Sequence, residues 1–222
     1  MKTYFDSAYS VIKALNDNNA EYLILRNFEN LLNEKIYVGG HEDIDILCMS
    51  SNEIVEILGA ISNRTKEDNT HYHIFINNNR VNLDLRSVGD GYYCTIWQKK
   101  MLQNRKVNCG FYVMNEIDYF YSLIYHAIIQ KHYFTKEYRL RLTEMSKKIG
   151  VTPNGYTKES FVEELEKYMK KNNYTFDYTR DPSIPLQFSI VSPKLIRFDL
   201  WRYIKRKLFI AKILLATIKN KI

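Results

Sequence analysis

The sequence has little of what marks secreted, membrane-spanning or disulfide-built chains. Three cysteines among 222 residues, Cys48, Cys94 and Cys109, are odd in number, far apart and never in CxxC spacing. That argues against a disulfide framework or a zinc site and suits a reducing compartment. No run reaches the roughly 18–20 apolar residues that cross a bilayer. The opening stretch "MKTYFDSAYSVIKALNDNN" lacks the continuous apolar core of a signal peptide. A cytoplasmic place is therefore expected. Proline is scarce, and three of the four fall within "DPSIPLQFSIVSP" (181–193), which reads as a linker.

Acid is scarce in one place only. The net charge is +7, but from Lys194 onward nine Lys or Arg stand against Asp199 alone, a net of +8. The other 193 residues hold 23 basic and 24 acidic groups. The body is close to neutral, so it lacks the basic groove that tracking RNA needs. The tyrosines are scattered and form no RNA-binding signature.

Periodicity predicts a helix over 4–18 with Tyr4, Ala8, Val11, Ile12 and Leu15 on one face. "EYLILRN" (21–27) and "DIDILC" (43–48) read as strands. Ser50 or Ser51 would cap a helix over "NEIVEILGAIS". "HYHIFINN" and "VNLDLRSV" read as strands joined by a turn at Asn79-Arg80. "TIWQKKMLQ" reads as a helix and "GFYVMN" as a short strand. From Asn115 to Asn172 the pattern is helical, with Asn115 and Thr157 as N-caps and Gly150 as a stop. The expected fold class is α+β: a mixed sheet with flanking helices over 1–112, a helical subdomain over 113–180, a linker over 181–193 and a basic amphipathic helix over 194–222.

Chemistry concentrates in "YVGGHEDIDILCMS". Asp is depleted in strands, yet Asp43 and Asp45 are two apart and share a strand face. Asp84 repeats the design in "VNLDLR", alternating with Val81, Leu83 and Leu85. If the two strands are neighbours, three carboxylates converge, and they repel unless a cation sits between them. Mg²⁺ (or Mn²⁺) is the natural cation, since it takes carboxylate and phosphate oxygens. The alternative is an exposed strand end with no chemistry.

An hDhDh strand after a Gly-containing turn, then a helix and an hDh strand, resembles the nucleotidyltransferase superfamily of the polymerase-beta type. "GGHEDIDIL" also resembles the fukutin and choline-phosphotransferase branch. The resemblance covers about residues 20–90. It implies a nucleotidyltransferase-like sheet, with Asp43, Asp45 and Asp84 as catalytic and metal-binding acids. It further implies a phosphoryl-containing group moved from a nucleotide or nucleotide-activated donor to a hydroxyl acceptor, as in bacterial surface-polysaccharide assembly. Gly39 and Gly40 precede the acids. Where the superfamily has a Gly-Ser or Gly-Gly phosphate turn, this chain has Arg26-Asn27. Arg26 would clamp donor phosphate as a bidentate fork, or else pair with a nearby acid. Arg86 is a phosphate ligand or a salt-bridge partner, and Lys131 or His126 would touch phosphate from the helical half, His126 alternatively being a core residue. His41 is a surface residue or an aid to proton transfer. His71 and His73 share a strand face but lack a third zinc ligand.

In the tail, Trp201, Ile204, Leu208, Ala211, Leu215, Ile218 and Ile222 form a 3,4-spaced stripe amid Lys and Arg. That fits a helix lying on an anionic membrane surface, or one packing on the body. Two other functions stand beside the transferase reading: a non-catalytic, nucleotide-binding or antitoxin-like relative, and an enzyme adding nucleotides to RNA.

Overall fold

The structure, a computed structural model, describes residues 4–32, 43–63, 70–131, 133–181 and 183–219. The chain divides into two compact units, one of residues 1–88 and 98–115, the other of 89–97 and 116–222.

The first unit is a mixed sheet with helices on it. Its strands are β1 (Tyr4–Phe5), β2 (Tyr22–Ile24), β3 (Asp43–Cys48), β4 (Ile61–Ser62), β5 (His71–Ile76), β6 (Asn79–Ser87), β7 (Lys106–Asn108) and β8 (Phe111–Val113). They run in the order β1-β5-β6-β3-β2-β8-β7, with β4 on the edge of β5. At the centre β3 and β6 are parallel, while β2 is antiparallel to β3 and β5 to β6. Helices α1 (Ala8–Asp17) and α2 (Ser51–Leu58) cover one face. Alternation builds that face: Ile44, Ile46, Val81, Leu83 and Leu85 join Val11, Ile12, Leu15, Ile54 and Leu58 in one buried core. Each fully buried aliphatic side chain stabilises by about 1.5–3 kcal/mol.

Three expectations need correction here. The helix read over "NEIVEILGAIS" ends at Leu58, where Gly59 turns left-handed (φ 56°), and Ile61–Ser62 form β4. The first helix begins at Ala8, capped by Ser7 in a reciprocal pair with Ser10. Tyr4 and Phe5 instead form a strand beside Phe75 and Ile76. Before a cap residue in extended conformation the chain is free to pair, and helical spacing alone cannot detect that. The β5–β6 turn is Asn77-Asn78, both left-handed at φ 49° and 63°, not Asn79-Arg80. Adjacent left-handed residues make the two-residue turn whose twist suits a hairpin, and Asn tolerates that conformation. A further hairpin, β7–β8, turns on Cys109-Gly110 (φ 49° and 88°).

The second unit holds helices α4 (Glu116–Ile124), α5 (Lys136–Lys148), α6 (Lys158–Lys171) and α7 (Leu200–Lys219), and a small parallel pair of β9 (Phe176–Asp177) with β10 (Ile196–Arg197). Helix α3 (Thr95–Gln103) is shared: its first turn counts with the second unit and the rest with the first. Thr157 caps α6 in a capping box with Ser160, and Gly150 follows α5 with φ 70°. Beyond Ile124 the α4 helix continues as a π-helical turn, Tyr125–Gln130. The core is aromatic: Trp97 stacks on Tyr174 (5.6 Å) and Tyr121 on Tyr168 (3.8 Å). Many of the tyrosines that look scattered in sequence therefore converge in this core. Within 181–193, Asp181 and Val191 are buried and a short helical turn forms at Phe188–Ile190.

Candidate functional site

The site is built by register. In the parallel β3–β6 pair, Asp45 lies opposite Asp84 and Asp43 opposite Asn82. In the antiparallel β5–β6 pair, His71 lies opposite Asp84 and His73 opposite Asn82. Neighbouring strands lie about 4.8 Å apart, and side chains in register on neighbouring strands share a face. His71, Asp84 and Asp45 thus form one row across three strands, and His73, Asn82 and Asp43 the next. This face is opposite the one covered by α1 and α2. The chain places polar side chains on one face of these strands because the intervening residues, Ile44, Ile46, Leu83 and Leu85, are spent on the core.

Guanidinium groups meet the acids. Arg26, just past β2, puts Nη2 2.7 Å from Asp45 Oδ2, with both side chains nearly buried. The backbone helps hold this register, since Leu25 N–H donates to the Asp45 carbonyl (2.9 Å). Arg86, two residues beyond Asp84 on the same face, donates from Nη2 to Asp84 Oδ2 (3.2 Å) and is itself buried. His71 Nε2 is 3.9 Å from Asp84 Oδ1. Burial raises the Asp84 carboxyl above its ordinary range; Arg86 opposes this, Asp45 adds to it, His71 opposes and Asp43 adds. A half-buried acid with a raised pKa, set in a row of acids and cations, is the kind of group that holds metal or moves protons. Asp43 is exposed at the start of β3.

The remaining sequence candidates are distributed as follows. Asn27 is left-handed (φ 56°) and leads into a helical turn at Phe28–Asn30. Gly39, Gly40 and His41 lie outside the described residues. Lys131 belongs to the second unit, where its ammonium sits 5.9 Å over the Tyr138 ring. His126 is a buried residue of that unit, with Nδ1 3.4 Å from Tyr92 Oη and 3.3 Å from Gln130 Oε1. Sequence reasoning weighed His71 only as a zinc ligand and missed it as a neighbour of Asp84. The signal was the hairpin turn, whose position sets His71 opposite Asp84.

Carboxylate oxygens are the donors that Mg²⁺ or Mn²⁺ takes. Among the described residues, no group of three His, Cys, Asp or Glu stands ready to hold a metal ion. The carboxylates of Asp45 and Asp84 are instead engaged by Arg26 and Arg86. A metal bound through these carboxylates would have to exchange with the guanidinium groups that now engage them.

No protein-family profile and no curated protein matches the chain. Among solved structures, that of the antibiotic-resistance factor ANT(2'')-Ia is similar at 12% identity, with a TM-score of 0.39 over 74% of this chain and 90% of that one.

Proposed function

We propose that the protein is a Mg²⁺-dependent transferase (Mn²⁺ serving equally) of nucleotidyltransferase type. It moves a phosphoryl-containing group from a nucleotide or nucleotide-activated donor to a hydroxyl acceptor. The observation that carries this reading is the register: Asp45 opposite Asp84 on adjacent parallel strands, with Asp43 two residues ahead on the same face. Asp43 and Asp45 would hold the metal, and Asp84 would complete it or take the acceptor's proton, a task a raised pKa suits. The metal's contribution is to neutralise phosphate charge and activate the attacking oxygen. Arg26 and Arg86, once exchanged from the acids, are forks that suit phosphate oxygens. Gly39, Gly40, Asn27 and Lys131 are proposed as further phosphate contacts from the sequence resemblance. The basic end of the chain adds a place: the inner face of an anionic membrane, with a glycan or lipid-linked acceptor of the kind used in bacterial surface-polysaccharide assembly.

The test is a thermal-shift series with nucleoside triphosphates and CDP- or UDP-linked donors, with and without Mg²⁺. A true donor at a hundredfold its Kd should stabilise by about 2.7 kcal/mol, and only with metal. Absence of metal-dependent stabilisation by every nucleotide overturns the reading.

A second reading draws on the ion pairs themselves. With Asp45 and Asp84 held by Arg26 and Arg86, the acids serve as structural anions in a module that binds nucleotide without turnover. Donor binding with no product release selects it.

A further inference from the structure

The C-terminal helix α7 meets its own unit through Arg202, Arg206 and the Tyr203 ring, which packs on Tyr178 (5.8 Å), while Trp201, Ile204 and Leu208 face out. Arg202 donates from Nη2 to the Gly89 carbonyl (2.8 Å). Arg206, one turn on, donates to the carbonyls of Asp181 and Ile184. The space for Arg202 is built in: Gly91 has φ +79°, and a Cβ there would lie 2.7 Å from Arg202 Nη1 and 2.4 Å from the Tyr178 carbonyl oxygen. Asp199 caps the helix, accepting from Arg202 N–H (3.0 Å). At 3.6 residues per turn, Trp201, Ile204 and Leu208 fall about 150° round the helix from the Arg202–Arg206 side. Trp201 is 66% exposed, Ile204 37% and Leu208 60%. An amphipathic helix on a globular body ordinarily buries its apolar stripe and shows its charges. Here two arginines turn toward the body while Trp201, Ile204 and Leu208 are exposed beside Lys205 and Lys207.

We propose that the Trp201–Ile204–Leu208 stripe is a docking surface for an anionic lipid surface, with Arg202 and Arg206 fixing which face the helix presents. Charge selects this occupant. Lys205 and Lys207 flank the stripe, with Lys205 Nζ 5.4 Å over the Trp201 ring, and nine of the ten charged residues after 193 are basic. A second copy of the chain would set like charges against like; an anionic headgroup layer complements them. Among the described residues no helix is long and apolar enough to cross a membrane, so the helix lies in the interface plane. The inference rests on the membrane-surface part of the proposed function and on none of its chemistry.

The experiment is co-sedimentation of the full chain with phosphatidylglycerol-containing and pure phosphatidylcholine vesicles, alongside tryptophan emission and light-scattering mass. The wild type should bind phosphatidylglycerol vesicles, less at high salt, with a blue shift from Trp201, since Trp97 is already buried. Ile204→Ser with Leu208→Ser should lower partitioning at least tenfold with an unchanged melting temperature. Lys205→Gln should lower it roughly fivefold, on anionic vesicles only. Failure of the wild type to bind, equal binding by the double-serine protein, or a lipid-free dimer that this protein no longer forms would each overturn the proposal. Vesicle binding does not depend on turnover, so loss of the catalytic reading leaves it standing, and the reverse.

Discussion

Asp45 and Asp84 of the first unit and Asp118 of the second are acids inside otherwise apolar elements, and their charges are satisfied differently. In the first, Asp45 and Asp84 meet guanidinium groups at 2.7 and 3.2 Å. In the second, Asp118 on α4 is buried, and its Oδ1 accepts from Trp97 Nε1 and from Tyr168 Oη, both at 2.8 Å. Trp97 and Tyr168 are neutral donors wedged in a stacked aromatic core; burial first and the Asp118 charge second keep the Tyr168 phenol protonated. An acid held by packed neutral donors has a fixed partner set and serves structure. An acid held by a cationic side chain can trade that cation for another. On the proposed function, the kind of partner, not the depth of burial, separates Asp45 and Asp84 from Asp118.

Five measurements can break or sharpen this contrast. The largest effect is expected at Asp43, which is exposed. Asp43→Asn should lower turnover at least a hundredfold with a smaller loss of stability than Asp45→Asn, because Asp43 is exposed and Asp45 is buried. Asp45→Asn should also abolish the proposed turnover but lose about 3 kcal/mol by urea titration, since it strands a nearly buried Arg26. Repulsion between acids alone would have made this variant as stable as the wild type or more so; equal stability would mean that Arg26 does not hold Asp45.

Next comes Asp118→Ala, which leaves two buried donors without their acceptor. About 3 kcal/mol of stability should go, while turnover per folded molecule stays at the wild-type level. A catalytic defect larger than the folding defect would erase the distinction between the two kinds of acid.

Arg26→Lys is milder. It keeps the charge but loses the fork, and donor affinity by calorimetry should fall about tenfold. A lowered melting temperature with unchanged donor affinity would make Arg26 a structural partner only.

The smallest effect is in acid titration. Asp84 stands above its ordinary 3.8, first through burial. A raised acid holds its proton more tightly folded than unfolded, so its contribution to stability falls as pH climbs from 3.8 through the raised folded value and is flat above it. The stability of the wild type minus that of Asp84→Asn should therefore decline over that window. A rising difference would mean that Arg86 and His71 outweigh burial.

The sequence made the strands and their faces readable because alternation reports burial residue by residue: "DIDILC" occupies 43–48 as read, and Asp43, Asp45 and Asp84 come to one face. Pairing was less legible. A turn at Asn79-Arg80 would set Asp84 against Phe75, while the observed turn at Asn77-Asn78 sets it against His71. A shift of two residues in the turn moves every partner by four, and "NNNR" offers several asparagines able to turn left-handed. The Arg26–Asp45 pair was legible only as an alternative, since no local pattern reveals a contact between a strand and the loop that leaves its neighbour. Least legible was the direction of the C-terminal helix. A 3,4 stripe says that a helix has two sides, but which side meets protein is fixed by the carbonyls of residues 89, 181 and 184, far away in the chain.

The chain enters the second unit at Gly89, leaves it at Trp97 and returns at Glu116. During synthesis this interleaving has a cost in time. Tyr93 and Trp97 are made early, but Tyr168 and Tyr174, against which Trp97 packs, emerge some 70–80 residues later, on the order of 4–15 s at usual elongation rates. For that interval a pair of large aromatic side chains waits without the core built to receive it. The strand that bears Asp84 is thus followed, until α6 and Tyr174 are made, by two aromatic side chains whose packing partners lie far downstream.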